Sequence, residues 1–147
     1  MPKATRPDLA AMLIPLGRAL TEAERPILDR HGLTMWAYVV LLGLDERPVH
    51  TQAALAKAIR ADKTRIIPVL DDLQQRGLIL REPDPADRRV NLIRLTPDGA
   101  SLRDHTQRDI QEQEQRLLAE VPAADRRTFL RVLQLLADRT GTGYSQP

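Results

Sequence analysis

The sequence predicts a mainly α-helical chain with one small β-hairpin, and three observations predict it. First, QAALAKAI (52–59) and KTRIIPVLDDLQQ (63–75) both repeat apolar residues at helical spacing, and only Arg60, Ala61 and Asp62 separate them. Two short helices joined by about three residues form a helix-turn-helix. Second, LILRE (78–82) and VNLIRL (90–95) read as two strands joined by PDPADRR (83–89). Third, longer helical patterns flank this middle segment on both sides. At 147 residues the chain has the length of a single domain, 1–147.

Over 8–24, Leu9, Met12, Leu13, Leu16 and Leu20 recur at helical spacing while Pro15 and Pro26 cut across them, which predicts a kinked helix and then a short turn to Gly32. Thr34 can cap the next helix, whose Ala37, Tyr38, Leu41 and Leu42 form one apolar face up to Asp45, with Pro48 ending it. Thr51 is the N-cap expected for QAALAKAI; Leu55 and Ile59 point one way, and Ala54, Ala56 and Ala58 permit a second helix to approach closely. That second helix is capped by Asp62 and stopped by Gly77. At 100° per residue its core face is Ile66, Val69, Leu70 and Leu73. Thr64, Pro68 and Asp71 then face directly outward, flanked by Arg65 and Ile67, with Lys63 beside the core stripe.

In the loop between the strands, prolines stiffen the chain and the aspartates can fold onto nearby backbone N–H groups, which projects Arg88 and Arg89 from a rigid tip. Thr96-Pro97 starts a long, mostly polar helix to Val121, with Leu102, Ile110, Leu117 and Leu118 as its sparse apolar points and Pro122 as its break. The last helix, 124–139, carries Phe129, Val132, Leu133, Leu136 and Ala137 on one broad face, and GTGYSQP reads as a frayed tail.

Residues 51–97 hold 9 basic and 6 acidic side chains against 6 and 6 before them and 7 and 8 after, so a charge of +3 sits in the middle of a chain whose net charge is +2. A basic centre between neutral arms suits a polyanion. Cysteine is absent, which excludes disulfides, thiolate metal sites and thiol redox sensing. Lys3 and Arg6 precede an apolar run as in a signal peptide, but Asp8, Pro15 and Arg18 interrupt it. No run approaches the ~20 apolar residues of a membrane span, so a cytoplasmic chain without a membrane partner is expected. His31, His50 and His105 stand apart, and no phosphate-binding glycine loop appears, so neither an enzyme nor a metal or cofactor protein is expected.

Residues 33–102 resemble the MarR family of winged helix-turn-helix transcriptional regulators. The resemblance rests on LT at 33–34, QAALAKAI at 52–59, DKT at 62–64, L..RGLI at 73–79 and D.ADRR.....LT..G from Asp84 to Gly99. It implies a winged helix-turn-helix module over 34–97 and dimerisation helices over 8–31 and 98–140. It also implies a homodimer whose modules each dock on half of a pseudo-palindromic operator in double-stranded DNA, most simply as a repressor. Within that reading PDPADRR is the wing, Arg89 the residue that enters the minor groove, Arg88 its neighbour and Asp87 the group that holds its geometry.

Lys63, Thr64 and Arg65 would meet bases or phosphates from the start of the second helix, and Gln52 and Lys57 would position the backbone. Pro68 departs from the polar or basic residue that many relatives have there, and it costs up to ~3 kcal/mol unless the helix kinks. Arg60 departs from the small residue often found in the turn. The resemblance further implies release by a small, aromatic or phenolic ligand, for which His31, Met35 and Trp36 are candidates and Arg18 a possible anion partner. The residues also admit plainer readings: a solvated hairpin loop with paired Arg and Asp, an ordinary polar helix start, and core packing for Met35 and Trp36. A winged-helix module that binds protein rather than DNA is the alternative function.

Overall fold

A computed structural model describes residues 1–46 and 50–140, apart from the side chains of His50 and Lys63. The expected helix stop at Pro48 and the tail 141–147 lie outside the described residues. In chain order the elements are α1 (Leu9–Arg30), α2 (Met35–Leu42), β1 (His50–Thr51), α3 (Gln52–Ala58), α4 (Lys63–Gln75), β2 (Ile79–Pro83), β3 (Asn91–Leu95), α5 (Pro97–Leu118) and α6 (Ala123–Arg139). The sequence gives no sign of β1, which is too short to show alternation. It pairs antiparallel with β3 (His50 opposite Ile93), and β3 pairs on its other side with β2 (Ile79 opposite Leu95), giving the order β1-β3-β2.

Side-chain caps start the helices where the sequence places them. Thr34, Thr51 and Thr96 accept from the N–H groups of Ala37, Ala54 and Gly99 at 3.1, 3.0 and 3.1 Å, and Asp62 accepts from Thr64 at 3.2 Å. Each oxygen satisfies one of the helix's otherwise orphaned donors. Three helices end in the same way. Leu33, Ala61 and Leu78 donate back to Leu28, Ala56 and Leu73 across Gly32 (φ 66°), Arg60 (φ 54°) and Gly77 (φ 75°). This closure needs a left-handed residue, a role that glycine fills without steric cost. Arg60 fills it as a substituted residue, and its guanidinium donates to the carbonyl of Thr140, at the end of α6, at 2.9 Å.

Several elements differ from expectation. α1 does not end before Pro26 but continues to Arg30, because the last turn buries Ile27 and Leu28 in the core. α2 has no single apolar face: Ala37, Tyr38, Val40 and Leu41 are all buried, and Leu42 is half-buried. A helix with no charged residue, MWAYVVLL, is apolar all round and is enclosed rather than laid on a surface. Of the three α3 alanines expected to admit a second helix, only Ala56 is covered; Ala54 and Ala58 are exposed. α5 stops at Leu118, and Pro122, expected as its break, instead stands as the N-cap residue of α6. The residue before a proline avoids the helical region, so the helix is already over when Pro122 is reached.

The core joins α2, α3, α4 and the sheet through Val40, Leu41, Leu55, Leu70, Leu73, Ile79, Ile93 and Leu95, all fully enclosed. α4 contributes Ile66, Leu70 and Leu73 with Val69 half-buried, as its spacing requires. α5 leaves the sheet at a tight junction. Thr96 donates its hydroxyl to the Gly77 carbonyl at 2.7 Å and its N–H to the Leu78 carbonyl at 3.1 Å. A Cβ on Gly99 would stand 1.9 Å from that same Leu78 oxygen. Farther along, α5 packs on α1. There burial, with Glu114 nearby, pushes the Glu24 carboxyl above its usual range, and burial raises Glu114 likewise.

Two outcomes follow from this packing. Gly99→Ala puts a methyl group into backbone that has no flexible end to yield, so it should lower unfolding stability by at least ~1–3 kcal/mol in chemical denaturation. Glu24 has a folded-state pKa above its unfolded one, so the stability present below the unfolded value is lost as pH rises through the folded value. Glu24→Gln should therefore raise the melting temperature at pH 7.5, and calorimetry should find the gain gone near pH 4, where glutamate is about half protonated even when unfolded.

Candidate nucleic-acid interface

The helix-turn-helix and the hairpin present two exposed groups of side chains. On α4, Thr64, Arg65, Ile67, Pro68 and Asp71 are exposed, the outward face that 100° per residue assigns them. Lys63 is the first residue of the helix, and its side chain lies outside the described part. Pro68 sits inside a helix that continues from Lys63 to Gln75. Because proline has no N–H, the Thr64 carbonyl four residues earlier loses the helical hydrogen bond it would accept from position 68. On α3, Lys57 is exposed and Gln52 half-buried.

The wing loop consists of two successive turns, each opened by an aspartate. Asp87 N–H donates to the Asp84 carbonyl at 3.2 Å, and Val90 N–H donates to the Asp87 carbonyl at 2.9 Å. The Asp84 carboxylate accepts from Ala86 N–H at 2.9 Å, and that of Asp87 from Arg89 N–H at 3.1 Å. Aspartate at the first position of a turn folds back in this way, and Pro85 presets the backbone that follows. The same Asp87 oxygen also takes the Arg89 Nε at 3.2 Å, while the Arg89 side chain is 91% exposed. The pairing of Arg with Asp and the projection of Arg89 are thus both present. Arg88 is exposed beside it.

Other arginines of this basic segment serve the fold. Arg81 bonds Asp71 at 2.5 Å and also Gln74, tying β2 to α4. Arg94 pairs with Glu82 at 3.0 Å across the hairpin, and Arg76 donates to the Gly32 carbonyl at 2.9 Å. Lys57, Arg65, Arg88 and Arg89 are exposed, and so are Arg60 and Arg76, whose guanidiniums are bonded to the Thr140 and Gly32 carbonyls.

The family model described as MarR family matches residues 33–90, from the start of α2 to the end of the wing loop. A protein of Thauera aromatica assigned to transcriptional regulation of the hcr operon is 30% identical over 118 residues, covering 80% of this chain and 71% of the relative. The chain belongs to the MarR family. A MarR-family transcriptional regulator from Rhodococcus sp. RHA1 superposes with a TM-score of 0.77 at 28% identity, covering 92% of this chain and 96% of that one. CouR from Rhodococcus jostii RHA1, solved with p-coumaroyl-CoA bound, does so with a TM-score of 0.72 at 28% identity, covering 92% and 96%. This MarR-family chain is therefore a winged-helix transcriptional regulator.

The effector candidates do not converge on one place. A cavity of about 290 Å³ between α1 and α2 is lined by Thr21, Arg25, Leu28, Asp29, Leu33, Thr34 and Met35. It takes in Met35 alone of the four residues singled out in the sequence, and the cation in its wall is Arg25 rather than Arg18. His31 is engaged elsewhere: its Nε2 lies 2.7 Å from Asp109 of α5, and this hydrogen bond holds the Asp109 carboxyl below its usual range. Trp36 faces α4, with Arg65 Cζ 5.8 Å from the ring centre. Neither Arg25 nor the Trp36–Arg65 contact has a signal in local spacing, since both depend on how α1 and α4 pack against α2.

Proposed function

We propose that this MarR-family regulator is a homodimeric repressor of a pseudo-palindromic operator, read by α4 in the major groove and by the Arg89 wing in the minor groove. The observation that carries this reading is the joint exposure of Thr64 and Arg65 on the start of α4 and of Arg88 and Arg89 on a wing tip braced by Asp84 and Asp87. Residues 34–97 form the reading module, and 8–31 with 98–140 form the dimer platform. The platform draws support from α6, which has no buried residue and exposes Phe129, Leu130, Val132, Leu133, Leu135 and Leu136 by 37–50%, and from Leu9, Met12, Leu13 and Ile14 of α1, also exposed. Apolar faces of this extent mark an interaction surface. Two-fold pairing would set the reading helices about one DNA turn apart.

The cavity beside Met35 is the place for an effector. Leu28, Leu33 and Met35 give it an apolar side for a small aromatic or phenolic ligand, and Thr21, Thr34, Arg25 and Asp29 give it polar groups for a hydroxyl or acid. The aromatic acyl thioester bound by CouR is a ligand of related chemistry.

The deciding experiment is duplex binding with the DNA upstream of its own gene, titrated with salt. If a dimer neutralises about 8 phosphates, log affinity falls with log salt at a slope near −7, whereas a slope near zero favours a protein-binding module. Light scattering at micromolar concentration should give twice the chain mass; a folded monomer would end the dimer reading. Arg89→Ala should weaken binding most on sites whose wing-facing minor groove is narrow and A·T-rich. Unchanged affinity on every sequence, in a folded dimer, would remove the wing from the interface.

A further inference from the structure

Trp36 stands where the first turn of α2 meets the start of α4. α2 packs directly on α4, and the indole is half-buried while its partner Arg65 is exposed. The guanidinium carbon lies 5.8 Å from the ring centre, within reach of the attraction between a cation and an aromatic face. An unrestrained arginine loses much rotamer freedom on making any fixed contact, and a two-pronged base contact demands one particular orientation of the guanidinium plane. An aromatic face that already draws the guanidinium to one side removes part of the cost before DNA arrives. Trp36 is held in turn by its neighbours: Thr34 caps the helix at Ala37, and Ala37 and Tyr38 are buried. The helix that carries the ring is therefore fixed in place, and Arg65, exposed on α4, is the longer and freer group.

We propose that Trp36 is a positioning residue for DNA readout, one that touches no base itself and sets the orientation in which Arg65 meets the duplex. The proposal rests on the reading of α4 as the DNA-facing helix. It assigns a role in specificity to a residue of a different helix, 29 positions earlier in the chain.

Trp36 is the only tryptophan in the sequence, so tryptophan fluorescence reports on the surroundings of this one residue. In the free protein, Arg65→Ala should change the emission of Trp36; unchanged emission would mean that the contact does not exist in solution and would overturn the proposal. The second measurement is selection from a duplex library randomised under α4. Arg65→Ala should lose preference at one base position of each half-site, and Trp36→Leu should lose preference at the same position, with affinity for the wild-type selected duplex reduced about two- to fivefold. Trp36→Phe keeps an aromatic face and should keep most of the preference. The double variant Trp36→Leu/Arg65→Ala should be no worse than Arg65→Ala alone, since a positioning residue has nothing to hold once Arg65 is gone.

Because the readout is which base is preferred, a general loss of packing in Trp36→Leu does not imitate the expected result. Trp36→Leu keeping the wild-type preference, or losses that add in the double variant, would overturn the proposal while leaving the DNA reading intact. A wild-type protein that selects no duplex removes the DNA reading itself and the proposal with it, and that outcome is visible before any substitution is made.

Discussion

The enclosure of α2 is the constraint on which the other elements depend. Its eight residues carry no charge and none is exposed, four being buried and four half-buried, so the rest of the chain must cover it broadly. α1, α4 and α5 each pack against it. Its exit is fixed as well, because the Asp45 carbonyl accepts from Leu95 at 2.8 Å and the Leu44 carbonyl from Arg103 at 3.2 Å. Sheet and long helix are thereby registered to the same short segment. The outward face of α4 is a consequence: with Ile66, Leu70 and Leu73 turned inward, Thr64, Arg65 and Pro68 have only the outside left.

What could be read in the sequence was the part determined within a few residues. The caps at Thr34, Thr51, Asp62 and Thr96, the stop at Gly77 and the aspartate-braced wing each depend on atoms two to five positions apart, and each is present. What escaped reading depends on tertiary partners. Pro26 looked like an end to α1 because local rules cannot see Ile27 and Leu28 entering the core. β1 is two residues long and exists because β3 offers an edge. α2 was given one apolar face because burial of the other sides is decided by neighbours.

The candidate site divides along the same line. The wing and the outward residues of α4 followed from turn chemistry and helical geometry, together with a family pattern that spans both. The effector candidates did not, since a cavity is a relation between helices: Arg25 faces it from α1, whereas Arg18 does not line it, and His31 is drawn to Asp109. Charge counting gave the correct sign for the middle of the chain but could not tell Arg81 and Arg94, which brace the hairpin, from Arg88 and Arg89, which project from it.

The Asp87–Arg89 contact bears on how the wing would meet an anion. A carboxylate that both pins the turn and holds the guanidinium acts as a placeholder for any anion that arrives later. The Arg89 side chain is almost wholly in water, so a phosphate can approach from the open side while Asp87 is still engaged. On the proposed reading of the wing, the cation would pass from one oxygen anion to another, and the turn would stay closed because Asp87 still accepts the Arg89 backbone N–H. If Arg89 is the group that meets DNA, the wing would change partners by swapping counter-charges around a turn whose backbone bonds stay in place.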